Sequence, residues 1–186
     1  GQGFTQGVGI RACLEALRPA WEAERAAAEA FNRATAGPRR RGVGLASGWY
    51  GCGNTSLPNP STIKAGIRAD GSIVLHQGAM DIGQGANTVI TQLFATALGV
   101  PVAQIGLIGA DTDVTPDAGK TSASRQTFVS GNAARLCGEA LRTEVLRAVN
   151  ASEQAVLSVT AGAITVEDGA IRHRIALDQL GPDGDG

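Results

Sequence analysis

The chain has 186 residues, 43% of them hydrophobic, enough to bury a core in one ordinary domain or two small lobes, which argues against disorder over most of its length. With 16 basic and 17 acidic residues the net charge is -1, so there is no field to hold nucleic acid or an anionic membrane, and 4% aromatic content leaves few surfaces for stacking bases. Cys13, Cys52 and Cys137 are widely spaced, odd in number and form no Cys-x-x-Cys pair, which disfavours a zinc or iron–sulfur site and suits free thiols in a reducing compartment.

No apolar run approaches the roughly 20 residues of a membrane span, and the first residues lack the charged-then-apolar pattern of a secretion signal. The start at Gly1-Gln2-Gly3, without Met, suggests a piece of something longer. From Gln6 to Ala34, Ala, Leu, Glu and Arg dominate, and Val8, Cys13, Leu14, Leu17, Trp21 and Phe31 recur at helical spacing. Pro19 would interrupt a continuous rod, so two helices are expected, 6–17 and 19–35, with the proline in the first turn of the second. Ala34 to Pro38 reads as a linker that divides an N-terminal helical segment, 1–36, from an α/β region over 37–181. The basic run Arg39-Arg40-Arg41 reads as a solvated start to a strand. Val43, Leu45, Trp49 and Tyr50 among glycines predict that strand and a flexible turn, with the two aromatics in the core or at a subunit interface.

Residues Ser61 to Asp81 carry the clearest β pattern: Ile63, Ala65 and Ile67 alternate before Asp70-Gly71, then Ile73 and Leu75 follow, the mark of a hairpin. A loop ending in Gly83-Gln84-Gly85 leads to a helix over Thr88 to Leu98, with Val89, Ile90, Leu93 and Ala97 on one stripe and a stop at Gly99 and Pro101. Gln104 to Ala110 predicts a short strand, and Asp111 to Lys120 a polar loop of a length that often carries function. A long helix is expected from Ser124 to Val149, its Gly131, Ala133, Ala134, Gly138 and Ala140 permitting close approach to a neighbour. Leu157 to Leu180 repeats the hairpin device, with Asp168-Gly169 between Ile164, Val166 and Ile171, Ile175, and 182–186 is expected to be a frayed, flexible tail.

Chemistry concentrates at two loop-to-helix junctions. Gly83 and Gly85 remove Cβ atoms on both sides of Gln84, so backbone and the N–H groups of the helix start can approach a bulky polar ligand, while the Gln84 carboxamide both donates and accepts. The second junction, Thr121 to Thr127, offers the hydroxyls of Ser122, Ser124 and Thr127 to oxo or phosphate oxygens at another helix start. Together they suggest one site built from paired helix N-termini. Arg125 either meets a phosphate or lies on the helix surface. His76 and His173 read as packing or surface residues, and Asp111, Asp113 and Asp117 lack the spacing and terminal glutamate of a calcium loop. Glu139, Glu144, Glu153 and Glu167 read as helix-surface or hairpin carboxylates.

Several motifs in order now carry a resemblance: Arg40-Arg41-Gly42 with Tyr50-Gly51, Asp70-Gly71-Ser72-Ile73-Val74, Gly83-Gln84-Gly85 with Thr88 and Gln92, and Asp111-Thr112, Pro116, Thr121 and Ala123-Ser124 with Gly131. From Arg39 to about Leu146, and more loosely through Cys13-Leu14, Trp21 and Val166-Glu167-Asp168-Gly169, the chain resembles the molybdenum hydroxylases, the family of xanthine dehydrogenases and aldehyde oxidases. The resemblance implies an α/β (α+β) fold of mixed β-sheets with packed helices, part of the molybdopterin-binding domain of the aldehyde oxidase/xanthine dehydrogenase fold. It implies molybdopterin with molybdenum, usually as the cytosine dinucleotide in bacterial members, the metal being held by the cofactor's own dithiolene. Its cofactor-binding positions map to Gly83, Gln84, Gly85, Thr88, Thr121, Ser122, Ala123, Ser124 and Thr127, with the Gln84 amide near the metal centre and Ala123 brushing its ligand sphere.

The family's downstream glutamate in a glycine-rich motif, its upstream glycine-phenylalanine-glycine loop and its substrate-orienting arginine have no counterpart here, so no catalytic residue and no protein metal ligand is assigned. The implied intact enzyme hydroxylates an aldehyde or N-heterocycle carbon with oxygen from water, together with the remainder of the large subunit and iron–sulfur and flavin partners, in the cytoplasm or, alternatively, the periplasm. Two other readings stand beside it. One is a non-catalytic scaffold or interaction domain derived from that fold. The other, a nucleotide-binding module, is weakened because Gly119-Lys120-Thr121 lacks the glycine five residues earlier that a Gly-x-x-x-x-Gly-Lys-Ser/Thr loop needs, Val114 standing there, and because there is no Gly-x-Gly-x-x-Gly motif.

Overall fold

The computed structural model describes residues 9–181 apart from 49, 52 and 54–57, and the chain divides into two compact units, Gly1–Tyr50 and Gly51–Gly186. In the first, α1 (Ile10–Ala34) is a single α-helix with Pro19 inside it, where two helices were expected. The proline removes one i to i−4 bond, but the turn around it is exposed, so water can take the freed carbonyl while Ala, Leu, Glu and Arg on both sides favour helix. The expected start at Gln6 lies outside the described residues. Beyond the helix the chain folds back on it: the Asn32 side chain donates to the Arg41 carbonyl and accepts the Arg41 N–H, both at 2.8 Å, and the Arg41 guanidinium lies 4.1 Å from the centre of the Phe31 ring. No strand forms among residues 40–48, contrary to the sequence pattern. Gly42, Gly44 and Gly48 weaken any extended run there, and none of the described residues of this unit forms a strand to pair with. Tyr50 is exposed rather than in a core, and Trp49 lies outside the described residues.

In the second unit, β1 (Ile63–Ile67) and β2 (Ile73–Gln77) form the expected hairpin, with Ile67 opposite Ile73. Its turn is closed by the Asp70 carboxylate, which accepts the Ser72 N–H at 2.8 Å, and by Gly71 at φ +87°. From β2 the chain passes through α2 (Ala86–Leu98) to β3 (Ile105–Gly109), which pairs with β2 in parallel, so β2 is the middle strand of a mixed three-stranded sheet. Ile73 and Leu75 of β2 are accordingly almost fully buried. The C-terminal half of the unit holds α3 (Gln126–Ala148) and an antiparallel meander of β4 (Val156–Thr160), β5 (Ala163–Asp168) and β6 (Ile171–Ala176). The predicted hairpin thus gains a strand, because Ala161-Gly162, with Gly162 at φ +74°, makes a second tight turn. One core joins both sheets and both helices, with Leu75, Ile90, Phe94, Ala134, Leu146, Val159, Ile164 and Val166 among its members. The unit is an α/β fold of mixed sheet and packed helices, as the sequence implies.

The small residues of α3 decide how the helices meet. A Cβ added to Gly131 would lie 2.7 Å from Leu93 Cδ1, and one on Gly138 would lie 2.7 Å from the Phe94 carbonyl oxygen and 2.9 Å from Ala97 Cβ. Farther on, Arg142 donates to the Leu98 carbonyl at 3.2 Å. Contacts therefore advance in the same direction along both helices. Running parallel, α2 and α3 place their N-termini, with the loops that precede them, at one end of the unit.

Candidate cofactor site

The loop between β2 and α2 is organised by Asp81. Its Oδ1 accepts the N–H groups of Gly83 at 2.9 Å and Gly85 at 3.3 Å, and its Oδ2 accepts that of Asn87 at 3.0 Å. These backbone donors, Asn87 first and then Gly83, hold the Asp81 carboxyl below the usual carboxylate range. This corrects the expectation of a helix start open to a ligand: the Gly85 and Asn87 donors of the first turn of α2 are taken by a carboxylate of the same chain. Gly83 at φ +106° and Gly85 at φ +80° supply backbone that other residues would hold only under strain, and open space lies where a Cβ of either would be.

Gln84 is exposed and braced by its own loop: Oε1 accepts the Ile82 N–H at 2.7 Å and Nε2 donates to the Met80 carbonyl at 3.2 Å. A primary carboxamide has two N–H donors and two acceptor lone pairs, so one of each remains for a ligand. The same Met80 carbonyl accepts the Thr121 hydroxyl at 2.8 Å, and thus ties the second junction to the first. Behind Thr121, the Gln126 amide donates to its Oγ1 at 3.3 Å and to the Lys120 carbonyl at 3.1 Å, while Gln126 Oε1 accepts the buried Ser130 hydroxyl. Ser122 and Ala123 are half-buried and Ser124 exposed. Ala123 and Ser124 both sit in the left-handed region, at φ 52° and 54°, a cost of roughly 1–2 kcal/mol each for residues with a Cβ. That pair of residues is why α3 begins at Gln126 rather than Ser124. Thr88 and Thr127 are exposed in the first turns of α2 and α3, and neither takes part in the bonds joining the two loops.

Arg125 is neither a phosphate ligand nor a surface residue. It is 1% exposed, and its guanidinium donates to the carbonyls of Ala118 at 2.8 Å, Lys120 at 2.9 Å, Pro60 at 2.8 Å and Asn59 at 3.5 Å, drawing three segments together beneath the 121–124 turn. Asp81, Asn87, Gln77 and the buried role of Arg125 escaped the sequence reading. One signal was available: Asp-x-Gly, the pattern of an Asx turn, stands at 81–83 and again at 117–119, where Asp117 Oδ1 accepts the Gly119 N–H at 2.7 Å. Of the other acids, Glu139 pairs with Arg135 and Glu144 with Arg147 along α3, Glu167 pairs with Arg172, and Glu153 is exposed. Among the described residues no group of three His, Cys, Asp or Glu side chains converges as a metal site, and no helix is long and apolar enough to cross a membrane. An open, mostly apolar groove of about 320 Å³ runs between α2 and α3, where Val89, Leu93 and Ala97 are joined by the polar Gln92, Thr96, Arg135 and Glu139.

The Asp81 brace has a pH signature. Its folded pKa is lowered, so its contribution to the loop is complete above the ordinary carboxylate value of about 3.9 and is lost as pH falls through the still lower folded value. A carboxyl carbon NMR titration should place Asp81 below that ordinary value, with amide exchange at Gly83, Gly85 and Asn87 accelerating only in the same acid range. A midpoint at or above 3.9 would mean that the three N–H groups do not hold the charged form.

Comparison with known proteins gives this geometry a context. A family model described as molybdopterin cofactor-binding domain matches residues 15–182. Over 144 residues, 74% of the chain, it is 40% identical to a putative xanthine dehydrogenase molybdenum-binding subunit of Escherichia coli (strain K12), and over 131 residues, 69% of the chain, it is 34% identical to an aldehyde oxidoreductase of Megalodesulfovibrio gigas. The chain spans 18% of the length of the first of these relatives and 14% of the second. Among solved structures, a Cu,Mo-CO dehydrogenase in its carbon monoxide reduced state is similar in fold, with a TM-score of 0.50 at 21% identity over 70% of this chain and 17% of that one.

Proposed function

The chain belongs to the molybdopterin cofactor-binding domain family, and from that premise we propose that its two junctions form one wall of a molybdopterin site in a larger molybdenum hydroxylase. The observation that carries this reading is the Met80 carbonyl, which accepts from Gln84 and Thr121 at once and so joins the two loops into a single polar surface. The donor set fits the group: a carboxamide with an N–H and a lone pair to spare, hydroxyls at Ser122, Ser124 and Thr127 beside a Thr121 oxygen that keeps one lone pair, and glycines with open space before them. When bound, the cofactor supplies two-electron redox chemistry at a metal ligated by its own dithiolene.

This chain's residues hold and orient. Gln84 donates to and accepts from the cofactor near its metal end, and Ala123 leaves room where a larger side chain would crowd that end. The hydroxyls of Ser122, Ser124 and Thr127, beside the start of α3, suit phosphate oxygens of the cofactor, here proposed in its cytosine dinucleotide form. The intact protein would hydroxylate an aldehyde or an N-heterocycle and pass electrons to iron–sulfur and flavin centres. The free thiols of Cys13 and Cys137 suit a reducing compartment, the cytoplasm.

The test is Gln84→Ala in the full protein. Molybdenum and oxidised-pterin content should fall several-fold while the melting temperature stays within a few degrees, since an exposed side chain away from the core contributes about 0.5 kcal/mol or less. Full cofactor content in the variant would remove Gln84 from the site. A wild-type protein without pterin would favour the non-catalytic scaffold.

A further inference from the structure

A buried amide lies beneath the Gln84 loop, where a strand end would ordinarily place an apolar side chain. Gln77, the last residue of β2, is 0% exposed. Its Oε1 accepts the Ala79 N–H at 2.8 Å and its Nε2 donates to Asn87 Oδ1, bonds that span the base of the 78–85 loop from strand to helix. Gly109, its partner across the sheet, makes room: a Cβ there would lie 3.3 Å from Gln77 Nε2 and 3.7 Å from Asn87 Oδ1. Asn87 in turn gives its backbone N–H to Asp81, whose other oxygen gathers Gly83 and Gly85. A continuous series of bonds therefore runs from the sheet core to both glycines flanking Gln84.

We propose that Gln77 is a positioning residue for the cofactor site: acting through Asn87 and Asp81, it sets the backbone that presents Gln84. The proposal rests on the reading of Gln84 as a cofactor ligand. A leucine at 77 would fill a similar volume, yet it would leave the buried Ala79 N–H and the half-buried Asn87 carboxamide oxygen without these partners. The first turn of α2 would then be free to shift, and the Asp81 carboxylate would lose its fixed acceptor geometry. Gln77 touches no ligand; its influence reaches the site only through the loop.

The experiment compares Gln77→Leu, Asn87→Leu and the double variant in the full protein, with amide hydrogen exchange and molybdenum and pterin content as readouts. Expected for Gln77→Leu is about tenfold faster exchange at Gly83, Gly85 and Asn87, unchanged exchange in β5, and reduced cofactor content. Asn87→Leu should match it, and the double variant should be no worse than either, because all three break the same series. Unchanged exchange at those amides, or equal acceleration in β5, would overturn the proposal, the latter by exposing a merely global loss of stability. Gln84→Ala in parallel separates the two ideas. If it loses cofactor while Gln77→Leu leaves exchange and content intact, the positioning role alone fails; if it keeps full cofactor, the site reading fails.

Discussion

Replacing Arg125 by alanine is expected to lower the stability of the 51–186 unit by about 3–5 kcal/mol and to loosen the 121–124 turn. Three of the guanidinium's bonds to carbonyls, to Ala118, Lys120 and Pro60, are 2.8–2.9 Å long, and none of those acceptors carries a charge. Bonds from a charged donor contribute roughly 1.5–3 kcal/mol each, so together they exceed the expected loss. The difference is the penalty of keeping the cation out of water, which is relieved when it is removed and which the Nε, buried without a partner, makes larger. Gly119 shows how closely the group is packed: a Cβ there would fall 2.9 Å from one guanidinium nitrogen and 3.0 Å from the other. Lysine, a compact ammonium without the planar fork, should recover only part of the loss. Urea denaturation of the wild type, Arg125→Lys and Arg125→Ala tests this order, and an alanine variant within 1 kcal/mol of wild type would show that the carbonyls find water or one another without it. The site reading adds an exchange signature. Amides from Gly119 to Ser124 should lose protection before those of β5.

Gly138→Leu should be comparably damaging, at about 3 kcal/mol or more, because nothing near it can yield cheaply. The first atom of any side chain would meet the Phe94 carbonyl oxygen at 2.7 Å and the Leu98 nitrogen at 3.1 Å, both backbone of the facing helix. Either α2 and α3 separate, which uncovers Phe94 and Leu98, or the backbone of α2 bends. Gly138→Ala should be milder, since it gains up to about 1 kcal/mol of helix propensity against a single clashing methyl. Thermal melts of the glycine, alanine and leucine proteins should therefore descend in that order. A leucine variant that melts with the wild type would mean that the helices do not meet at Gly138. The comparison matters for function because the parallel pairing of α2 with α3 is what brings the two site loops to one end. Cofactor content should consequently fall in Gly138→Leu although residue 138 is remote from both loops in sequence.

Local chemistry was legible wherever one short segment decides its own shape. Asp70-Gly71 marked a hairpin because an Asx bond and a positive φ complete the turn within a few residues. The stripe of Val89, Ile90, Leu93 and Ala97 marked α2, and the glycines at 131 and 138 marked a close helix contact. The reading failed where a segment's state depends on what lies beside it. Val43 and Leu45 have strand character, but a strand needs a ladder, and no described residue of their own unit forms one. Pro19 argued for a break, yet an exposed helix tolerates one missing bond. Arg125 read as either a phosphate contact or a surface residue because no residue type in sequence reports which carbonyls will surround it.

The sequence by itself determined the family, the α/β class and the two polar junctions, since glycine spacing, hydroxyl placement and hydrophobic period are properties of neighbouring residues. Only the tertiary structure decided that the Gly83-Gln84-Gly85 loop is closed by Asp81 and braced by Gln77, that Gln84 shares a carbonyl with Thr121, and that Arg125 is buried. The physical reason lies in the distances along the chain. Met80 and Thr121 are 41 positions apart, and Arg125 reaches carbonyls 65 and 66 positions away. Such bonds exist only once β2, α2 and α3 have packed, with α2 and α3 running parallel and both helix starts at the same end.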